Sequence, residues 1–147
     1  MGGEPWFYFV PYQADINSAL QGLRLREFQA GRYNPVMPFP DFPVDAQTRA
    51  PGAGHASIEA AIEEADADGT RSILDMERVS DEVDYGAVTP VSDEDLFNLF
   101  GTSRPTREMI ESNEELFEAL ERGQGVYIVA YRDDQPSEIF FAGYSFD

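Results

Sequence analysis

The clearest candidate for chemistry in this sequence is the segment Asp66-Ala67-Asp68-Gly69-Thr70. Counted from Asp66 as the first of twelve positions, the chain supplies side-chain oxygens at positions one, three, five and twelve, the spacing of a calcium-binding loop. Arg71 stands at the sixth position, where such a loop requires glycine for a sharp turn. A helix end with Gly69 in the left-handed conformation is the competing interpretation. The residues of the hypothetical calcium site are Asp66, Asp68, Thr70 and Glu77.

The same stretch supplies the carboxylates for a second hypothesis, a carboxylate-based enzyme. Paired carboxylates divide the roles of general acid and general base when their environments separate their pKa values. Asp66, Asp68 or Asp75 would act with Arg71, and the single histidine, His55, is the other candidate base. No spacing among these residues is specific to one reaction, so the sequence assigns no catalytic residue and the enzyme stays an alternative.

Missing residue types narrow the chemistry further. The chain has no cysteine, one histidine and no lysine, so its ten basic residues are all arginine. This composition excludes disulfides, thiolate nucleophiles, zinc–thiolate centres and Schiff bases, as well as phosphate-binding loops that need lysine. We expect no cofactor.

Acidity is the most unusual bulk property of the chain. Its formal net charge is −18 over 147 residues. Such a charge repels nucleic acid phosphates and anionic lipid surfaces, so neither is an expected partner. It favours a basic protein partner, which the chain would bind in the manner of an inhibitor, antitoxin or adaptor. An acidic surface that only keeps the chain soluble, adapted to high salt, stays open as the alternative.

Glutamates on one predicted helix are the candidate contact surface for a basic partner. The helix predicted over 105–122 begins near Pro105, a favoured first-turn residue, and its apolar residues recur at helical spacing. Ser112 and Glu115 have the spacing of a capping box, so this helix either continues or restarts there as two. Glu118 and Arg122, four residues apart, also suit an ordinary solvated helix. The predicted partner-binding residues are Glu108, Glu111, Glu114, Glu118 and Glu121.

Three aromatic and β-branched segments predict the sheet that positions these helices. Segments 126–131 and 139–144 flank a polar connection and predict a β-hairpin over 126–146. Both faces of each strand are apolar, which places the hairpin at the centre of a sheet. Segment 6–12 predicts an N-terminal strand that pairs with the hairpin. The predicted fold is α+β, with a mostly antiparallel sheet of four to five strands and about four helices, at 15–30, 57–67, 93–100 and 105–122.

The chain is predicted to be a single domain over 1–147, because it has no internal repeat and no break in composition. The prolines of region 32–54 exclude a helix or a central strand and predict a long loop. Within that loop, Pro38-Phe39-Pro40 either packs on the domain or serves as an extended recognition segment. The absence of a signal peptide and of an apolar segment near 20 residues predicts a cytoplasmic protein. We expect a monomer or a weak homodimer, with exposed edges such as 85–91.

Overall fold

The computed structural model describes residues 3–146, which form an α+β fold around one five-stranded sheet. The strands, in chain order, are β1 Pro5–Pro11, β2 Arg78–Val79, β3 Ala87–Pro90, β4 Gly125–Arg132 and β5 Gln135–Tyr144. The helices are α1 Ile16–Ala30, α2 Ile58–Ala65, α3 Asp93–Phe100, α4 Arg107–Glu111 and α5 Glu115–Glu118. Two 3-10 turns lie at Asp66–Asp68 and Ile73–Asp75.

The hairpin of β4 and β5 lies in the middle of the sheet, whose order is β1-β5-β4-β3-β2. Only Asp133 and Asp134 connect the two strands, and their φ angles of 52° and 62° are those of a type I′ turn. β1 pairs antiparallel with β5 along its whole length, so both ends of the chain meet in one layer, as expected. Trp6 lies opposite Gly143, where any Cβ would come within 2.6 Å of the indole ring.

The expectation of a mostly antiparallel sheet is wrong, because the sheet is mixed. β3 runs parallel to β4 on one side and to β2 on the other. Between β3 and β4 the chain forms three helices, and a strand that returns after such a crossover runs parallel to the strand it left. The sequence signals for antiparallel pairing came from the hairpin and the N-terminal strand alone.

Helices and turns cover both faces of the sheet. Successive side chains of a strand point to opposite faces, so β1 contributes to two cores. Trp6, Tyr8 and Val10 pack with α1 and the 3-10 turn at Ile73–Asp75. Phe7 and Phe9 belong to the other core, which α3, α4 and α5 cover.

The helix ends follow local capping signals. Asp15 caps the start of α1, and Gly31, with a φ of 76°, ends it. The helix predicted over 105–122 is two short helices, α4 and α5. Asn113 separates them, since its side chain accepts the N–H of Leu116 at 3.1 Å and donates to the carbonyl of Leu99 at 3.0 Å. No helix within residues 3–146 is both long enough and apolar enough to cross a membrane.

The predicted loop over 32–54 contains no helix or strand. Met37 is buried, and Phe42 packs against β1. Phe39, in contrast, is 61% exposed. Met37 and Phe42 are therefore among the side chains that hold the loop on the domain, and Phe39 lies exposed between them.

Candidate functional site

An apolar groove of about 530 Å³ lies on the face of the sheet that carries α4 and α5. Phe7 and Phe9 of β1 and Phe140 of β5 form its floor. The rings of Phe9 and Phe140 are 4.8 Å apart between centroids, and those of Phe7 and Phe140 are 6.2 Å apart. α4 and α5 each span little more than one turn, so they leave this end of the sheet uncovered.

The helical side of the groove combines apolar and acidic residues. Ile110 and Phe117 line the wall, and the Phe117 ring meets Phe7 edge-on at 6.1 Å. Glu111 and Glu114 line the same groove and are exposed to solvent. The groove therefore joins an aromatic floor to a carboxylate rim.

Arg107 occupies the Phe9 end of this surface. Its Cζ lies 4.2 Å from the centroid of the Phe9 ring. Its Nη1 donates to Glu138 Oε2 at 2.9 Å, and its Nε lies 3.4 Å from Glu111 Oε2. A ring face and two carboxylates thus hold one guanidinium in place.

The other end of the rim carries a negative charge that no cation within residues 3–146 pairs with. Within residues 3–146, Glu114 forms no ion pair and no side-chain hydrogen bond. It stands three residues after Glu111, beside the Phe7–Phe117 pair. A carboxylate next to an apolar, partly desolvated surface attracts cations more strongly than one surrounded by water.

The outer edge of β1, next to the groove, is protected against pairing with another strand. Pro5 and Pro11 stand at its two ends, and proline donates no backbone hydrogen bond. The Phe42 ring lies 6.1 Å from Phe7 and 5.1 Å from Tyr8. Because Phe7 and Tyr8 point to opposite faces of the sheet, Phe42 lies across the edge of β1. A partner is therefore not expected to bind here by adding a strand to the sheet.

The five glutamates predicted to bind a partner do not form one strip. The break between α4 and α5 separates them, and all five are exposed. Only Glu111 and Glu114 line the apolar groove. Glu108 lines a polar cleft beside the hairpin turn, Glu121 lines a shallow cleft near residues 83–85, and Glu118 lies on the exposed side of α5.

The four residues of the hypothetical calcium site do not form a ligand cluster. Thr70 is fully buried, and its hydroxyl bonds Asp75 at 2.9 Å. Asp66, Asp68 and Glu77 are exposed. Across the described range 3–146, no group of three or more His, Cys, Asp or Glu side chains is arranged to hold a metal ion. Calcium binding stays a hypothesis that rests on sequence spacing.

His55 forms hydrogen bonds through both ring nitrogens. Its Nδ1 lies 2.8 Å from the hydroxyl of Tyr33, and its Nε2 lies 2.9 Å from Glu64 Oε1. The Tyr33 hydroxyl accepts the N–H of Gly54 at 3.1 Å, so we assign its own proton to Nδ1 and the histidine proton to Nε2. Tyr33 is fully buried. These hydrogen bonds connect Tyr33, near the start of the proline-rich loop, with Gly54 and His55 at its end, and His55 in turn contacts Glu64 of α2.

The carboxylates proposed for an enzyme lie in unlike environments. Asp75 is buried, and burial raises the pKa of its carboxyl, opposed by hydrogen bonds from the Thr70 amide and hydroxyl at 2.8 and 2.9 Å and by the charge of Arg24. Asp66 and Asp68 are exposed. Arg71 bonds the carbonyl of Pro38 at 2.7 Å and stacks on Phe39 at 4.4 Å, so it holds the loop.

Sequence reasoning missed a buried ion pair at the end of α1. Glu27 is fully buried and receives two hydrogen bonds from Arg32, at 2.8 and 2.7 Å. Arg26 donates a further one at 2.8 Å. The available signal was an acidic residue on the apolar stripe of the helix. The groove floor was missed for another reason, since Phe7 and Phe9 have the pattern of ordinary core residues.

Comparison of the chain with protein-family models, with curated proteins and with solved structures finds no significant match.

Proposed function

We propose that this chain is a non-catalytic protein-binding module that binds a basic, amphipathic segment of another protein in the groove between β1 and α4–α5. The observation that carries the proposal is the aromatic floor bordered by Glu111 and by the carboxylate of Glu114, which has no ion-pair partner within residues 3–146. A segment with apolar side chains on one side and cationic ones on the other matches both parts of this surface.

The charge of the whole molecule supports the same partner class. A net charge of −18 attracts a cationic protein over a distance of about one Debye length and speeds its encounter with the groove. We therefore favour an inhibitor-, antitoxin- or adaptor-like role in the cytoplasm, exerted by a monomer or a weak homodimer. Nucleic acids, membranes and cofactors have no part in the proposal.

A carboxylate-based enzyme has less support. His55 and Arg71 each have contacts within the fold that account for their positions, and Asp75 bonds Thr70. The enzyme therefore stays a sequence-level alternative.

The test is binding of a fluorescently labelled amphipathic peptide, with leucine on one helical face and arginine on the other, measured by anisotropy. We expect the peptide to bind, and we expect an all-arginine peptide without leucine to bind more weakly because it leaves the aromatic floor exposed. Exchanging Glu111 and Glu114 together for glutamine should weaken binding by about tenfold, or about 1.4 kcal/mol. Raising the salt from about 0.05 M to about 0.5 M should weaken it as well.

The matched control is the exchange of Glu115 and Glu118 for glutamine. It removes two negative charges, as the first double variant does, but Glu115 and Glu118 lie on α5 and do not line the groove. Equal losses in the two double variants would show a diffuse charge effect and contradict binding in the groove. Failure of the amphipathic peptide to bind at low salt would overturn the proposal.

A further inference from the structure

Arg107 lines the polar cleft next to the groove and packs on Phe9 of the groove floor, and its contacts indicate what a partner must supply. The Cζ of Arg107 lies 4.2 Å from the centroid of the Phe9 ring, and its nitrogens lie 2.9 Å from Glu138 and 3.4 Å from Glu111. One guanidinium thus contacts an aromatic ring and two carboxylates at the same time. An ammonium group is compact and strongly hydrated, and it makes no such double contact.

The adjacent part of the groove repeats these components without the cation. Phe7 lies two residues before Phe9 on the same face of β1, which is a distance of about 7 Å along the strand. Phe117 adds a second ring at 6.1 Å, and Glu114 supplies a carboxylate that no group within residues 3–146 neutralises.

We propose that this part of the groove selects arginine: a guanidinium from the partner stacks on the Phe7–Phe117 pair and bonds the carboxylate of Glu114. An apolar neighbour of that arginine packs beside Ile110. The inference rests on the proposed function and adds its specificity. A second copy of this chain is a poor occupant, because two molecules of charge −18 repel each other.

The experiment uses three versions of the labelled amphipathic peptide that differ at one position, which carries arginine, lysine or the neutral isostere citrulline. Each is titrated against the full chain, against Glu114→Gln and against Glu118→Gln. We expect the arginine peptide to bind about fivefold more tightly than the lysine peptide, and the citrulline peptide to bind most weakly. The ratio of the two affinities, arginine peptide over lysine peptide, should fall to about one in Glu114→Gln and stay unchanged in Glu118→Gln.

The outcomes separate the inference from the proposed function. Equal affinity for the arginine and lysine peptides, or an arginine preference that survives Glu114→Gln, would overturn arginine selection and leave the groove as a binding site for basic segments. Absence of binding by all three peptides would overturn both. Melting temperatures of the variants are compared first, and both substitutions should leave them unchanged because the two side chains are exposed.

Discussion

At the scale of single residues, the chain places an ionised pair in its interior at the end of α1. Glu27 is fully buried, and the Arg32 side chain that bonds it twice is 9% exposed. The backbone of the same glutamate also takes part in the helix end, since its carbonyl accepts the N–H of Arg32 at 3.2 Å. The pair therefore joins the last turns of α1 to the first residue of the proline-rich loop.

Removing one member of this pair should be costly. We expect Glu27→Gln to lower the free energy of unfolding by about 3–5 kcal/mol, because it leaves the Arg32 charge buried without a counter-ion. Urea denaturation measures the change. Arg26→Gln is the control, since that side chain is 45% exposed and its loss should cost at most about 1 kcal/mol. A cost for Glu27→Gln as small as that of the control would contradict the structural role of the pair.

Asp75 leads to a prediction about pH. Burial raises the pKa of its carboxyl in the folded state above that in the unfolded state. The folded state therefore binds this proton more tightly, and the group adds stability that is present at acid pH and is lost as the pH rises through the folded pKa. A difference of one pKa unit between the folded and unfolded states changes the free energy of unfolding by about 1.4 kcal/mol.

Asp75→Asn should therefore gain stability relative to the natural chain at pH 7 and lose that advantage near pH 4. An asparagine oxygen still accepts the Thr70 bonds, so the substitution removes the charge with little change of shape. Urea midpoints at several pH values give the difference between the two proteins. Asp68→Asn, an exposed site, is the control. A difference that does not change with pH would show that burial of Asp75 has no energetic consequence.

At the scale of elements, one side chain of the loop protects the open edge of the sheet. Phe42 reaches both faces of β1 across that edge. Its exchange for alanine should lower the free energy of unfolding by about 2 kcal/mol, less than for a full core phenylalanine because Phe42 is only partly buried. The freed edge should also promote self-association, seen as light scattering that increases with concentration.

Phe39→Ala is the matched control for this prediction. Phe39 lies in the same loop but is 61% exposed, and its main contact is the stack with Arg71. Its loss should cost at most about 1 kcal/mol and leave the protein monodisperse. Scattering that rises equally in both variants would point to the loop as a whole and contradict a specific role of Phe42.

The elements differ in how far the sequence predicts them, and the difference has a physical cause. The hairpin, β1, α1 and α3 have strong local signals. The strands are rich in apolar residues on both faces, Asp15 and Gly31 mark the two ends of α1, and Ser92 marks the start of α3. The parallel pairing of β3 depends on contacts between segments far apart in the chain, and no local pattern encodes it. The capping-box spacing of Ser112 and Glu115 left the break between α4 and α5 open as an alternative. The bond from Asn113 to Leu99, which accompanies the break, links the connection between α4 and α5 to α3 and has no local pattern.

The candidate site was predictable only in part. Acidity is the sequence property behind the proposed partner class, and Glu111 and Glu114, which line the groove, were among the glutamates named from the sequence. The groove itself was not predictable, because an aromatic residue of a strand has the same pattern whether a helix covers it or stops short of it. Phe7 and Phe9 lie in the groove only because α4 ends after five residues.

At the scale of the whole molecule, charge repulsion opposes the folded state. With a net charge of −18 and no calcium present, added sodium chloride should raise the melting temperature, because salt screens repulsion among the carboxylates. A gain of 1 kcal/mol corresponds to about 3 °C for a domain of this size. Circular dichroism at rising salt, with a chelator present, measures the effect. An unchanged melting temperature would contradict charge repulsion as a significant cost of folding.

Calcium chloride at matched ionic strength separates screening from specific binding. If screening alone acts, calcium and sodium should raise the melting temperature to similar extents. A further rise with calcium that Glu77→Gln abolishes would instead support the site at Asp66, Asp68, Thr70 and Glu77.

The packing of Trp6 against Gly143 gives the molecule an intrinsic optical probe. Trp6 is the only tryptophan in the chain, and it is fully shielded from solvent at the place where the first and last strands join. Its emission should therefore be blue in the intact protein and shift to the red as soon as either terminus detaches. A single fluorophore that needs no label thus reports whether the beginning and the end of the polypeptide are still joined.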